Sequence, residues 1–312
     1  MPINPTAQAI LDLYNALPPP EEIGVEAARA RSRQMSLLAP RGPDVGAVEE
    51  GVANCAHAEL PIRVYLPAGA TFAPRPVVVY FHGGGFVMGD LDSGDAHCRM
   101  FCAGAGCVVV SVDYRHAPEH PFPAATEDAY AAVRWVVDHL GRWNGDPKRV
   151  AVAGASAGAT LATVAAHLAR DRSGPPICFQ LLLVPGTDME HDYPSYRQNA
   201  EGFGLTRNTM RWFGKHYFRD PAERLHPQAS PLRAASLAGL PPAAILTAEF
   251  DPMRDEGEAY ARALRAAGVP VRHQCYAGFI HLRLGPDADR DMVADLRSAF
   301  ELPQLRSSAC RP

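Results

Sequence analysis

Apolar and polar positions are patterned in two ways along the chain, and the pattern changes near residue 48. Before that point the spacing is helical. Ala7 to Ala16 carries Ile10, Leu13, Tyr14 and Leu17 on one stripe, Pro18-Pro19-Pro20 ends it, and Glu21 to Leu38 resumes a helical pattern rich in Ala and Arg. Beyond it come short strand-like runs. Ile62 to Leu66 alternates, whereas Val77 to Phe81 and Val108 to Val112 are continuously apolar. Further strands are predicted at Val150–Ala153, Phe179–Val184, Ala244–Thr247 and Val271–Tyr276. Helical patterns separate most of them, at 96–105, 126–140, 157–170, 255–267 and 289–300. Continuous apolar strands alternating with helices predict an α/β fold: a mostly parallel central sheet flanked by helices on both faces.

One segment departs from this rhythm. Asp192 to Phe218 holds no strand pattern but has Phe203, Met210, Trp212, Phe213, Tyr217 and Phe218, and is expected to be a helical cap inserted into the core. The predicted organisation is N-terminal cap helices over residues 1–50 and a catalytic domain over 51–312, with the cap insertion at about 190–225. Val150 to Ala169 has no formal charge. It is mostly Ala, Gly and Thr with few large apolar side chains, so it is expected to be buried in protein rather than in a membrane.

The net charge of −4 leaves no basic field for nucleic acid or anionic lipid. The first cationic residue is Arg29, after four acidic ones, which is not the charge order of an export signal. Seven cysteines, an odd number without a C-x-x-C pair, suit reduced thiols; Cys98 and Cys102, one helical turn apart, are expected in the core. These features predict a cytoplasmic protein, with neither membrane nor nucleic acid as partner.

The chemistry is concentrated in a few short stretches. Gly154-Ala155-Ser156-Ala157-Gly158 follows a predicted strand and opens a predicted helix, the context of a nucleophile elbow. The turn is tight, so residues larger than Gly or Ala are expected to clash at 154 and 158. The helix N-terminus offers positive potential and a free N–H at Ala157. Alone, this pattern is weak, because small-residue helix starts are common. His82-Gly83-Gly84-Gly85 follows the strand Val77–Phe81, and its glycines let successive N–H groups face one point, as an oxyanion requires. It lacks both the Lys-Ser/Thr of a phosphate loop and the spaced glycines of a dinucleotide fold. The His82 side chain is expected to anchor this loop.

Ser156 needs a base, and the base needs an orienting carboxylate. The order nucleophile, acid, histidine selects His281, placed after the strand Val271–Tyr276 across a turn at Ala277-Gly278-Phe279-Ile280. His273 lies within the strand and is expected to be structural. Asp251, just past the strand Ala244–Thr247, is preferred as the acid over Asp255, which is expected to cap the next helix.

Four motifs in order, HGGGFVMGDLD at 82–92, DYRHAPEHPFPAA at 113–125, GASAG at 154–158, and AEFDPMRDEGEAYA through YAGFIH at 248–281, closely resemble those of the bacterial hormone-sensitive-lipase-like (family IV) carboxylesterases. The resemblance runs from roughly residue 50 to the C-terminus. It implies an α/β-hydrolase fold with a helical cap, a triad of Ser156, Asp251 and His281, and oxyanion donors at Gly83, Gly84 and Ala157. It also implies loop-bracing roles for Asp113, Arg115, Glu119, Glu127 and Asp128. Two departures stand out: Ala155 where the family has Asp or Thr, and Leu282-Arg283 where it continues with Gly-Phe. The expected activity is hydrolysis of short- to medium-chain acyl esters, small-molecule substrates, with no metal and no organic cofactor. Rival expectations are a lactonase or amidase on the same triad, or a silent binding protein. Phe203, Trp212 and Phe213 are candidate substrate contacts in the cap, and the last strand, as a sheet edge, is a candidate homodimer contact.

Overall fold

The computed structural model describes residues 2–69 and 71–301. Its centre is an eight-stranded sheet. The strands are β1 (Ala47–Asn54), β2 (Glu59–Leu66), β3 (Arg75–Phe81), β4 (Val108–Val112), β5 (Gly145–Ala155), β6 (Phe179–Leu183), β7 (Ala243–Phe250) and β8 (Val271–Ile280), in spatial order β1-β2-β4-β3-β5-β6-β7-β8. The β1–β2 and β2–β4 pairs are antiparallel, and every other pair is parallel. β8 is a sheet edge.

The continuous apolar runs are explained by burial on both faces. Val77, Val79 and Phe81 of β3 join one core, while Val78 and Tyr80 point into the other. On the first face lie α4 (Ala124–Asp138), α5 (Ala157–Asp171) and α8 (Arg254–Ala266); on the second lie α3 (Asp95–Ala105) and α9 (Pro286–Glu301). The charge-free run ends in α5, where every residue from Ala157 to Ala169 is buried in protein. Among the described residues no helix is long and apolar enough to cross a membrane. Cys98 and Cys102 are buried free thiols, as expected; Cys310 lies outside the described residues.

The cap is assembled from α1 (Pro5–Asn15), α2 (Pro20–Leu38, kinked at Gly24), α6 (Pro194–Gln198) and α7 (Arg207–Tyr217). The two parts meet where Thr209 Oγ1 donates to Glu21 Oε2 at 3.0 Å. The N-terminus is tied to the sheet, since the Asn4 N–H donates to the Gly278 carbonyl at 2.8 Å.

Two boundaries differ from expectation. β1 begins at Ala47, so the core starts before residue 51. β8 runs through Ala277–Ile280, where a turn was expected. Gly278 has φ +79°, and a register shift between Ala248 and Phe250 absorbs the irregularity, leaving Phe250 paired with Ile280.

Candidate active site

Ser156 stands between β5 and α5 with φ 54° and ψ −121°, a backbone region that L-residues avoid. Two glycines make that turn possible. A Cβ on Gly158 would lie 2.0 Å from the Phe81 carbonyl oxygen, and one on Gly154 would lie 2.2 Å from the Gly158 carbonyl oxygen. The constraint is therefore stricter than the sequence suggested, because even alanine is excluded at both positions. Ala155 contributes no side-chain hydrogen bond; the turn is held instead by the Ser156 N–H, which donates to the Leu183 carbonyl at 2.8 Å.

His281 follows β8 directly and is largely buried. Its Nε2 lies 2.9 Å from Ser156 Oγ, and its Nδ1 lies 2.8 Å from Asp251 Oδ2. Asp251 is fully buried, and its other carboxylate oxygen accepts the Met253 N–H at 2.8 Å. The three residues chosen from chain order are thus one hydrogen-bonded row. In this geometry Nδ1–H donates to the carboxylate and Nε2 is free to take the serine proton.

Gly83 packs beside the serine, since a Cβ there would lie 3.5 Å from Ser156 Cβ. Gly84 has φ 127°, and a side chain on it would strike the Met88 carbonyl. Among the described residues neither the Gly83 nor the Gly84 N–H is engaged by a hydrogen bond. With the first-turn N–H of Ala157, they are donors next to the nucleophile. His82 anchors this loop through Nδ1, which lies 2.8 Å from the Gly83 carbonyl oxygen, and its ring stacks on Tyr114.

Several supports had no clear signal in the sequence. Arg29 of α2 donates to the Val87 and Ala117 carbonyls, each at 2.8 Å, and pairs with Glu119. Its hydrogen bonds hold the Glu119 carboxyl down to about 2. Asn199, just after α6, donates to the Asp251 carbonyl at 3.0 Å, and Ser195 Oγ donates to Pro252 O at 2.6 Å. Glu256 lies buried near Asp251 and accepts from the Tyr196 hydroxyl at 2.6 Å. Burial first, and then the Asp251 and Asp188 charges, push its carboxyl well above the ordinary range. This shift disfavours a second negative charge beside Asp251.

The remaining candidates separate. Asp255 does not cap its own helix; it accepts the Ser195 N–H at 2.9 Å and ties the cap to the acid loop. His273 is half-buried beside Thr247, a structural place. Arg115 makes a multiple hydrogen-bonded pair with the fully buried Asp128, and Glu127 pairs with Arg172, so these residues brace loops as the resemblance implied. Of the three cap aromatics, Phe213 lies against the oxyanion loop, where a Cβ on Gly85 would meet its ring at 2.3 Å. Trp212 packs on Phe213 and His216. Phe203 stacks on Phe250 in an apolar cluster with Ala7, Leu11 and Ile280. Leu282 also belongs to this cap seam, since a Cβ on Gly204 would meet it at 2.7 Å, and Arg283 is paired with Asp289.

Comparison with known proteins gives the same picture. A family model described as alpha/beta hydrolase fold matches residues 78–284. The chain is 45% identical to esterase LipI of Mycobacterium tuberculosis over 84% of this chain and 82% of that protein. It is 35% identical to the ethyl acetate hydrolase of Pseudomonas putida, over 94% and 97% of the two chains. Among solved structures, the hyperthermophilic esterase of the archaeon Pyrobaculum calidifontis superposes with a TM-score of 0.90 at 38% identity, covering 96% of this chain and 99% of that one. An α/β-hydrolase core, a serine elbow and relatives named as esterases agree: the chain belongs to the hormone-sensitive-lipase-like (family IV) carboxylesterases and is a carboxylic ester hydrolase.

Proposed function

We propose that the enzyme hydrolyses short- to medium-chain acyl esters of small alcohols through an acyl-enzyme on Ser156. The observation that carries this reading is the row Ser156 Oγ, His281 Nε2, His281 Nδ1 and Asp251 Oδ2, with links of 2.9 and 2.8 Å. Ser156 Oγ attacks the ester carbonyl as its proton passes to His281 Nε2, and Asp251 stabilises the imidazolium. The N–H groups of Gly83, Gly84 and Ala157 receive the oxyanion. Collapse expels the alcohol, which takes the proton from His281. Water then attacks the acyl-enzyme by the same route and releases the acid.

Phe213, close to the oxyanion loop, supplies an apolar wall for a small substrate, whereas Phe203 serves packing. The name of the Pseudomonas putida relative, an ethyl acetate hydrolase, also supports small esters. Six free thiols among the described residues support a reducing, cytoplasmic setting, and the β8 edge is available for pairing in a homodimer.

Hydrolysis of p-nitrophenyl acetate, butyrate, octanoate and palmitate, with Ser156→Ala alongside, tests the proposal. Turnover peaking at a short or medium chain and lost in the variant is expected. A peak at palmitate assigns a lipase instead. Absence of turnover on every ester, with hydrolysis of lactones or amides, moves the reading to those substrates.

A further inference from the structure

A second cluster lies behind the oxyanion loop. The His82 Nδ1 faces a carbonyl oxygen, which only accepts, so this nitrogen donates, and in the neutral ring Nε2 carries a lone pair. That lone pair faces Asp113 Oδ1 at 3.5 Å, and His116 Nε2 lies 4.0 Å from the same oxygen. The three atoms fall within 4.8 Å of one another. All three are buried, and none has a hydrogen-bond partner among the described residues. His82 itself is wholly inaccessible and aimed into the cluster. The His82 lone pair and the Asp113 oxygen, two acceptors facing each other, are costly unless something positive or donating lies between them. His116 Nε2, at 4.0 Å from Asp113 Oδ1, is too far to supply that hydrogen bond itself.

We propose that His82, Asp113 and His116 form a binding site for one late first-row divalent cation of the zinc or cobalt type. Two imidazoles and one carboxylate suit such ions better than calcium or magnesium, which prefer all-oxygen shells. Ligand atoms on one tetrahedral ion lie roughly 3.3 Å apart, from metal–ligand distances of about 2.0–2.1 Å, so a sub-ångström approach of the two rings completes three corners. Water takes the fourth. The surroundings already have the supporting pattern of a ligating histidine, with Nδ1–H on the Gly83 carbonyl and the ring stacked on Tyr114 at 4.6 Å. The ion therefore holds the ring that holds the oxyanion loop. The site is separate from the serine row and does not rest on the ester preference proposed above.

The test uses the full chain, stripped with chelator and titrated with cobalt(II) and zinc(II) chloride. Stoichiometry comes from equilibrium dialysis, and geometry from the visible absorption of bound cobalt. His281→Ala is titrated too, because His281 and Asp251 form a competing pair of ligands; His116→Leu and Asp113→Asn remove the proposed ones. One ion per chain is expected in the wild type and in His281→Ala, with tetrahedral cobalt absorption in both and a raised melting temperature in zinc. Affinity should fall by at least the roughly 10–100-fold that follows loss of even a supporting partner, in whichever of His116→Leu and Asp113→Asn is folded by circular dichroism. No saturable binding, binding unchanged in the folded ligand variant, or binding lost in His281→Ala overturns the proposal; the cluster is then bridged by a water or a proton.

Discussion

The catalytic edge of the sheet and the cap serve the same few atoms by different physical means. At the edge, geometry is imposed by excluded volume: Gly154 and Gly158 leave no room for a methyl group, and Ser156 is held at φ 54° by the strand and helix around it. In the cap, the means are side-chain hydrogen bonds to backbone carbonyls: Arg29 on Val87 and Ala117, Asn199 on Asp251, and Ser195 on Pro252. Along α5 every residue from Ala157 to Ala169 is buried, whereas α7 buries only Thr209 and Tyr217. Tyr217 is nevertheless an anchor, stacking on Phe86 of the oxyanion loop at 4.0 Å. Excluded volume tolerates no substitution; a hydrogen-bonded brace loses only its own increment when cut. The core thus sets the positions of the reacting groups, and the cap narrows their range of motion.

The difference can be broken at either end. Asp251→Asn should have the largest effect, lowering kcat on the order of 10⁴-fold by leaving His281 in the wrong tautomer, with thermal stability much less affected. Stopped or steady-state assays of p-nitrophenyl butyrate measure it. Gly158→Ala should act on folding instead, by about 4–5 kcal/mol or more, because its methyl would meet the Phe81 carbonyl at 2.0 Å. Denaturant titration or loss of soluble protein reports this, and a well-folded variant would contradict the excluded-volume account. Asn199→Ala in the cap should cost about 0.5–1.5 kcal/mol, because the Asp251 carbonyl loses one hydrogen bond but keeps that of the Arg254 N–H at 3.2 Å, with a moderate fall in kcat.

The smallest effect concerns the Arg29–Glu119 pair. Arg29 holds the Glu119 carboxyl at about 2, well below its ordinary value, so the pair contributes fully above the ordinary carboxylate range. That contribution is lost as pH falls from about 5 towards 2. Glu119 is 55% exposed, so its size is at most about 1 kcal/mol. Melting curves across this window should flatten in Arg29→Ala relative to wild type.

The contrast also explains what the sequence disclosed. Elbow, oxyanion glycines and triad were legible because each needs a particular residue type beside a particular strand or helix end, and the two-faced burial of β3 and β4 left unbroken valine runs. β1 left little trace, since only Ala53 of its residues is buried. The end of β8 looks like a turn in sequence because Gly278 is a turn residue by type, while the compensating register shift lies on β7. Asn199, Ser195 and Arg29 act through backbone carbonyls brought near by the fold, for which sequence spacing carries no mark. Phe203 and Phe213 look alike in sequence; only their neighbours, Phe250 for one and Gly85 for the other, tell them apart. Nothing in sequence spacing marks the cluster of His82, Asp113 and His116 either, because these residues come together only when the loops after β3 and β4 are side by side.

The central claim is that Ser156 is a nucleophile activated by His281. Covalent labelling with diethyl p-nitrophenyl phosphate, followed by peptide mass spectrometry, tests it most directly. One diethylphosphoryl group per chain is expected, located on Ser156, with labelling much slower in His281→Ala. Failure of the wild-type enzyme to label, or an adduct on another residue with Ser156 unmodified, would contradict it.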